Sequence, residues 1–99
     1  MPLSADRKKQ YRTLGHGLKP VVTVAGNGLS HTVINELNRA LDDHELIKVK
    51  LVIADRELRA KVIAEMSKKV NSEIVQEIGK VALIYREAKK PNLKLSNVR

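Results

Sequence analysis

The chain of 99 residues has no cysteine, tryptophan or phenylalanine, and its two aromatic residues are Tyr11 and Tyr85. Without cysteine there is no disulfide framework and no thiolate metal site, which fits a reducing compartment and argues against a secreted mini-protein. With so few rings, no strand carries the paired aromatics that an RRM uses to stack bases, and core packing is the expected role of both tyrosines. No apolar run reaches the length of a membrane span or a signal h-region, and MPLSADRKKQ is charged within its first ten residues. A soluble, cytoplasmic protein without membrane contact is therefore expected. The three histidines, His16, His31 and His44, stand at no metal-ligand spacing, and no carboxylate pair comes with a partner for acid–base chemistry. No lysine of the Walker type follows the glycine-rich turn, which argues against nucleotide hydrolysis. The expectation is a noncatalytic monomer without cofactor, metal or small-molecule substrate.

What is present is positive charge: 19 lysines and arginines against 11 acidic residues, a formal net charge of +8. The excess lies in residues 1–24 and 85–99, each with five basic residues and one acidic, while residues 25–84 hold nine of each sign. Such an arrangement fits a polyanion, nucleic acid before membrane, because no long cationic amphipathic helix with bulky apolar anchors accompanies it. Surplus lysine that only keeps a small protein soluble is the competing explanation.

The chain is organised around VVTVAGNGLS, Val21 to Ser30. Val21, Val22, Thr23 and Val24 are strand formers. Gly26, Asn27 and Gly28 tolerate positive φ, so successive N–H groups can face one concavity, and the helix that follows aims the positive end of its dipole there. A phosphate is the natural guest, although Asn27 and Gly28 also suffice simply to turn a corner.

Ser4 or Asp6 can cap a first helix to about Leu14, with Tyr11 and Leu14 on one side and Lys8, Lys9 and Arg12 on the other. Leu29, Val33, Leu37 and Leu41, widened by Ile34 and Ala40, predict a second helix of about three turns, with His31, Asn35, Asn38 and Arg39 outward. His31 is either a surface residue or a phosphate contact. From Glu45 to Ile53 the period becomes two, Ile47, Val49, Leu51 and Ile53 facing the core and Leu46, Lys48, Lys50 and Val52 the other side. Asp55 caps a third helix with Leu58, Val62, Ile63, Met66 and Val70 buried. Glu73 to Ile78 and Val81 to Arg86 then form a hairpin through Gly79-Lys80, glycine first as in a type II′ turn. Glu87 to Arg99 shows no pattern and is expected to be a basic tail, mobile when free, behind a single domain of residues 1–86.

The order α-β-α-β-α-β-β gives an α/β (α+β) domain with a four-stranded mixed sheet, most simply with its helices on one side. If the first three strands are parallel, the Gly26 to Gly28 turn, the Ala54 to Arg56 corner and the Gly79-Lys80 turn share one rim. Arg56, Arg59 and Lys80 would ring the nest, and the opening turn of the first helix, with Arg7, Lys8 and Lys9, would return to the same rim.

QYRTLGHGLKPVVTVAGNGLS, followed by HELIKVK and IGKVALIYR, resembles the CRM-domain family, and within it the small single-domain bacterial members. The likeness runs from about Ser4 to Arg86 with its blocks in order. It implies a two-layer fold like the C-terminal domain of translation initiation factor three, RNA binding, and association with precursors of the large ribosomal subunit. Ala25 stands where the family's G-x-x-G has its first glycine, and Gly28 matches the second. The RNA contact carries over to Gly28 and, beside it, to Gly26 and Asn27. Few aromatics point to phosphate and 2′-hydroxyl contacts with structured RNA. The expected RNA-binding residues are Gly26, Asn27, Gly28, Leu29 and Ser30 in the turn, Arg7, Lys8, Lys9 and Arg12 on the first helix, Lys48 and Lys50 on the sheet, and Arg56 and Lys80 on the rim. A DNA-binding architectural protein and a noncatalytic adaptor docking on ribosomal proteins are the alternatives.

Overall fold

A computed structural model describes residues 3–25 and 28–99 of the chain. Seven elements occur in the expected order: α1 (Ala5–Gly15), β1 (Pro20–Ala25), α2 (His31–His44), β2 (Leu46–Val52), α3 (Arg56–Lys69), β3 (Glu73–Ile78) and β4 (Val81–Tyr85). Each helix begins at a side chain that satisfies one of its free amides. Ser4, Ser30 and Asp55 accept hydrogen bonds from the N–H groups of Arg7, Val33 and Leu58, at 3.2, 3.2 and 3.0 Å, each such cap contributing about 1 kcal/mol.

The strands pair in the order β1-β2-β4-β3. β1 and β2 are parallel, with Ala25 opposite Val52, and β4 is antiparallel to both of its neighbours. β1, β2 and β3 therefore all point one way, although β4 separates the last two. Their C-terminal ends form one rim, as expected, and the Leu51 amide donates to the Lys80 carbonyl across it at 2.7 Å. Gly79 takes φ 55 at the head of the hairpin while Lys80 keeps a negative φ, the sign pattern of a type II′ turn.

Side chains leave a sheet alternately on its two faces, and both faces here hold a core. On one, Val22, Val24, Ile47, Val49, Leu51, Ala82 and Ile84 pack against Leu37 and Leu41 of α2 and Ile63 and Met66 of α3. On the other, Tyr11 of α1 packs on Leu46, Val75, Leu83 and Tyr85, its ring 4.9 Å from that of Tyr85. The α+β class, the three helices and the four-stranded mixed sheet are as expected; the placement of all helices on one side is corrected, because α1 lies alone across the opposite face. The reason is visible in β2. Leu46 sits on the face assigned to solvent yet is 0% exposed, and its cover comes from Tyr11 of α1 with Leu3, Leu18 and Val98 around it. Leu14, expected beside Tyr11, is instead 40% exposed, Gly15 taking the buried position. Leu58 is likewise exposed.

Asn38 is also not simply outward. Its Oδ1 and carbonyl accept from the Arg86 guanidinium at 2.8 and 3.0 Å, and the same group donates to the Val70 carbonyl at 2.8 Å and Asp42 Oδ1 at 2.9 Å. Arg86 thus clamps α2 and the end of α3 to β4.

The segment after Arg86 lies against the body at the end of the sheet away from the rim. Glu45, in the turn between α2 and β2, is 0% exposed and takes φ 63. Its carboxylate accepts from Arg99 Nε at 2.6 Å and Arg99 Nη2 at 3.1 Å, from Ser96 Oγ at 2.9 Å and from the Ala88 amide at 2.9 Å. The Asn97 amide donates to the His44 carbonyl, and its side chain to the Leu46 carbonyl. The Arg99 hydrogen bonds are the main reason that the Glu45 carboxyl is held down at about 2 against an ordinary 4.5, despite the opposing effect of burial.

Candidate nucleic-acid interface

β1 ends at Ala25 on the rim, and Gly28 lies just past it. Gly26 and Asn27 lie outside the described residues. On either side of them, the Gly28 amide donates to the Ala25 carbonyl at 3.0 Å, and Gly28 takes φ 90, a conformation natural only to glycine. Apart from its chain neighbours, a Cβ built on Gly28 would meet nothing within 4 Å. Leu29 turns inward against the main core, anchoring the turn. Ser30 is exposed and uses its hydroxyl to cap α2.

Helix α2 has no acidic residue in its first turn, whereas α1 has Asp6 and α3 has Glu57. The positive end of its dipole is thus left without a local carboxylate beside the turn. Farther along the rim, Arg56 and Arg59 line an open hollow of about 370 Å³ with Glu77 and Gly79. Arg59 donates to the Ile53 carbonyl at 2.8 Å, which fixes it to the end of β2, and Arg56 is exposed. Lys80 is exposed at the hairpin tip. Among the described residues, Arg56, Lys80, Lys48 and Lys50 form no ion pair.

The α1 residues belong elsewhere. The Leu3 amide donates to both carboxylate oxygens of Glu73, at 3.0 and 2.8 Å, which pins the start of α1 to the start of β3. Arg7 lines a hollow with Ser72, Glu73 and Arg86, at the far end of the sheet. The expectation that Arg7, Lys8 and Lys9 return to the rim is corrected: α1 crosses the second face with its C-terminal end toward the rim, since Gly15 rests on Leu83. Lys9 is exposed, and Lys8 and Arg12 are half-buried.

Lys48 and Lys50 lie on the α1 face of the sheet, Lys48 half-buried and Lys50 exposed. Beyond α1 this face is bare, with Val21 50%, Val52 49% and Ile78 61% exposed. That this face meets solvent is as the period-two pattern of β2 predicts; its apolar share was not singled out by sequence reasoning, and its signal is the valine at outward positions of β1 and β2, where period two alone would ask for polar residues.

The succession of elements, the glycine turn at the end of β1 and the basic rim together agree with one family, the CRS1 / YhbY (CRM) domain, which matches residues 3–86. The chain belongs to it. The CRM domain here is 52% identical over 98 residues to the Probable RNA-binding protein PA4753 of Pseudomonas aeruginosa, covering 99% of this chain and 94% of that one. It is 39% identical over 93 residues to a protein of Haemophilus influenzae named RNA-binding protein, covering 94% of each. Its fold is similar to the solution structure of SAV1595 from Staphylococcus aureus, with a TM-score of 0.79 and 29% identity over 90% of this chain and 93% of the other. Among the described residues of the CRM domain there is no group of three or more acidic or histidine side chains able to hold a metal ion, and no helix is long and apolar enough to cross a membrane.

Proposed function

We propose that this CRM domain binds RNA along the rim, without catalysis, and that its RNA is ribosomal, in precursors of the large ribosomal subunit whose assembly it assists in the cytoplasm. The observation that carries the reading is the meeting of the three turns after β1, β2 and β3 on one edge. There Gly28, just before the N-terminus of α2, shares the edge with Arg56 and Lys80, cations without an ion-pair partner among the described residues. Backbone amides and spaced cations suit phosphate oxygens. Two relatives at 52% and 39% identity carry RNA-binding names, which favours RNA over the DNA-binding and adaptor alternatives.

The test is sedimentation of the tagged protein in a cell lysate at low and elevated salt, with and without RNase. Comigration with large-subunit precursors, abolished by RNase treatment or high salt, is the expected result. A protein that stays at the top of the gradient at low salt refutes the ribosomal part of the reading. Comigration that survives RNase favours the adaptor alternative instead.

A further inference from the structure

The bare part of the sheet beside α1 has a composition unlike the rim. In its half toward the rim, the outward positions on the four strands are valine, threonine, alanine, isoleucine, leucine, glutamine and two lysines, with no carboxylate; Glu73 of the same face lies at the far end, hydrogen-bonded to Leu3. Where the C-terminal end of α1 overhangs it, an open hollow of about 350 Å³ forms. Ile78, Val81 and Leu83 make an apolar floor, while His16, Gln76 and Lys48 stand around it. Gly15 lines one side of it and, having no side chain, lets α1 lie close on Leu83.

Phosphate contacts account for the lysines and leave the apolar floor unexplained, since a charged backbone gains nothing from Ile78 or Val52. A nucleobase has flat apolar faces and a polar edge, and it presents the faces only when unpaired. Gln76 offers both a donor and an acceptor to such an edge, and His16 offers a ring nitrogen of either kind. Lys48 and Lys50, two residues apart on one strand, then serve the phosphates on either side. The surface also continues directly into Ala25 and the glycine turn through the pairing of Ala25 with Val52.

We propose that this half-sheet binds an unpaired stretch of RNA running on from the strand held at the glycine turn, with one base seated in the hollow beside His16 and Gln76. The inference rests on the RNA-binding reading above and adds the class of RNA: a helix interrupted by a bulge or internal loop. Regular duplex contacts the rim alone.

The test compares a blunt RNA duplex with the same duplex carrying a short bulge that contains 2-aminopurine. Titrations use the wild-type chain, the double variant Gln76→Ala/Ile78→Ala and the rim variant Gly28→Asp. The wild type is expected to bind the bulged RNA about tenfold more tightly than the blunt one, as base contacts of ordinary strength require, and to change the 2-aminopurine fluorescence. The double variant loses that preference and the fluorescence change while binding the blunt duplex as the wild type does; Gly28→Asp weakens both RNAs. Equal binding of the two RNAs by the wild type, or an equal loss on both in the double variant, overturns the proposal and leaves the rim reading standing. Binding of neither RNA overturns both. A dimer of the wild type in sedimentation that Ile78→Asp disperses and bulged RNA does not displace assigns the face to a second copy of the chain, and also overturns it.

Discussion

A Cβ on Gly15 would sit 2.5 Å from Leu83 Cδ2 and 3.0 Å from Leu83 Cδ1, and Leu83 is itself buried under α1 with little room to yield. Gly15→Ala is expected to cost about 1–3 kcal/mol through overpacking, lowering the thermal midpoint by roughly 4–8 °C per kcal/mol for a domain of this size. Gly28 has the opposite constraint: nothing within 4 Å of a Cβ apart from its chain neighbours, but φ 90. Gly28→Asp strains one backbone residue by about 1 kcal/mol and puts a carboxylate at the mouth of the turn. Thermal melts should show a small shift. RNA titration should show affinity reduced about tenfold, because an anion now faces the phosphate. Unchanged affinity removes the turn from the mechanism. Sequence alone distinguishes these residues poorly, since both read as helix or turn punctuation; a neighbouring side chain decides the first and a backbone angle the second.

At the scale of elements, the strands, the caps of α1 and α3 and the hairpin turn were legible because each rests on local chemistry: β-branched runs, Ser4 and Asp55, and a glycine at the first turn position; the Ser30 cap of α2 was not singled out. The side of the sheet taken by α1 was not legible. A short helix with one buried ring has too weak an apolar stripe to announce a face, and the decisive residue, Leu46, lies more than thirty positions away in β2. The segment 87–99 was illegible for a related reason: its attachment is a set of polar contacts onto one buried carboxylate, which leaves no periodicity to read. Because the Glu45 carboxyl is lowered from 4.5 to about 2, the folded state binds fewer protons there than the unfolded chain between those values. Its contribution is complete above about pH 4.5 and disappears as the pH falls toward 2. Arg99 stays charged throughout, with Glu87 as a second, exposed partner at 3.8 Å. Melting curves from pH 6 to pH 2 should therefore fall more steeply for the wild type than for Glu45→Gln. Arg99→Ala at neutral pH should lower the thermal midpoint, because it leaves the buried Glu45 carboxylate without its charged partner. Parallel pH profiles for wild type and Glu45→Gln would mean that the carboxylate is not held as described.

Over the whole molecule, the charge excess in the terminal segments, which suggested a polyanion, does not coincide with the rim. The opening turn of α1 and residues 87–99 both lie at the other end of the sheet, and Arg86 and Arg99 are engaged internally. The rim draws instead on cations from the neutral middle of the chain. Affinity for RNA should fall with salt, and Arg56→Ala/Lys80→Ala should make the slope of log affinity against log salt shallower by about 0.7 to 0.9 for each phosphate that is no longer neutralised. Lys8→Ala/Lys9→Ala should leave that slope unaltered. A slope changed by the second pair and not by the first would place the RNA at the far end of the sheet.

The strand order has a bearing on how the chain reaches this state. β4, the final strand in sequence, is an inner strand in space, paired on both edges and covered by helices on both faces. Neither β2 nor β3 has a partner on its β4 side until β4 arrives, and α1 lacks the Leu83 that Gly15 rests on and the Tyr85 ring beside Tyr11 until then. The first helix therefore waits for the last strand. Contacts of such sequence separation make folding slow relative to a helical bundle of equal size and concentrate it in one cooperative event. During synthesis, the polypeptide as far as α3 can collapse but cannot close its sheet, so stable structure is expected to appear in a single late step, after residue 85 has been added.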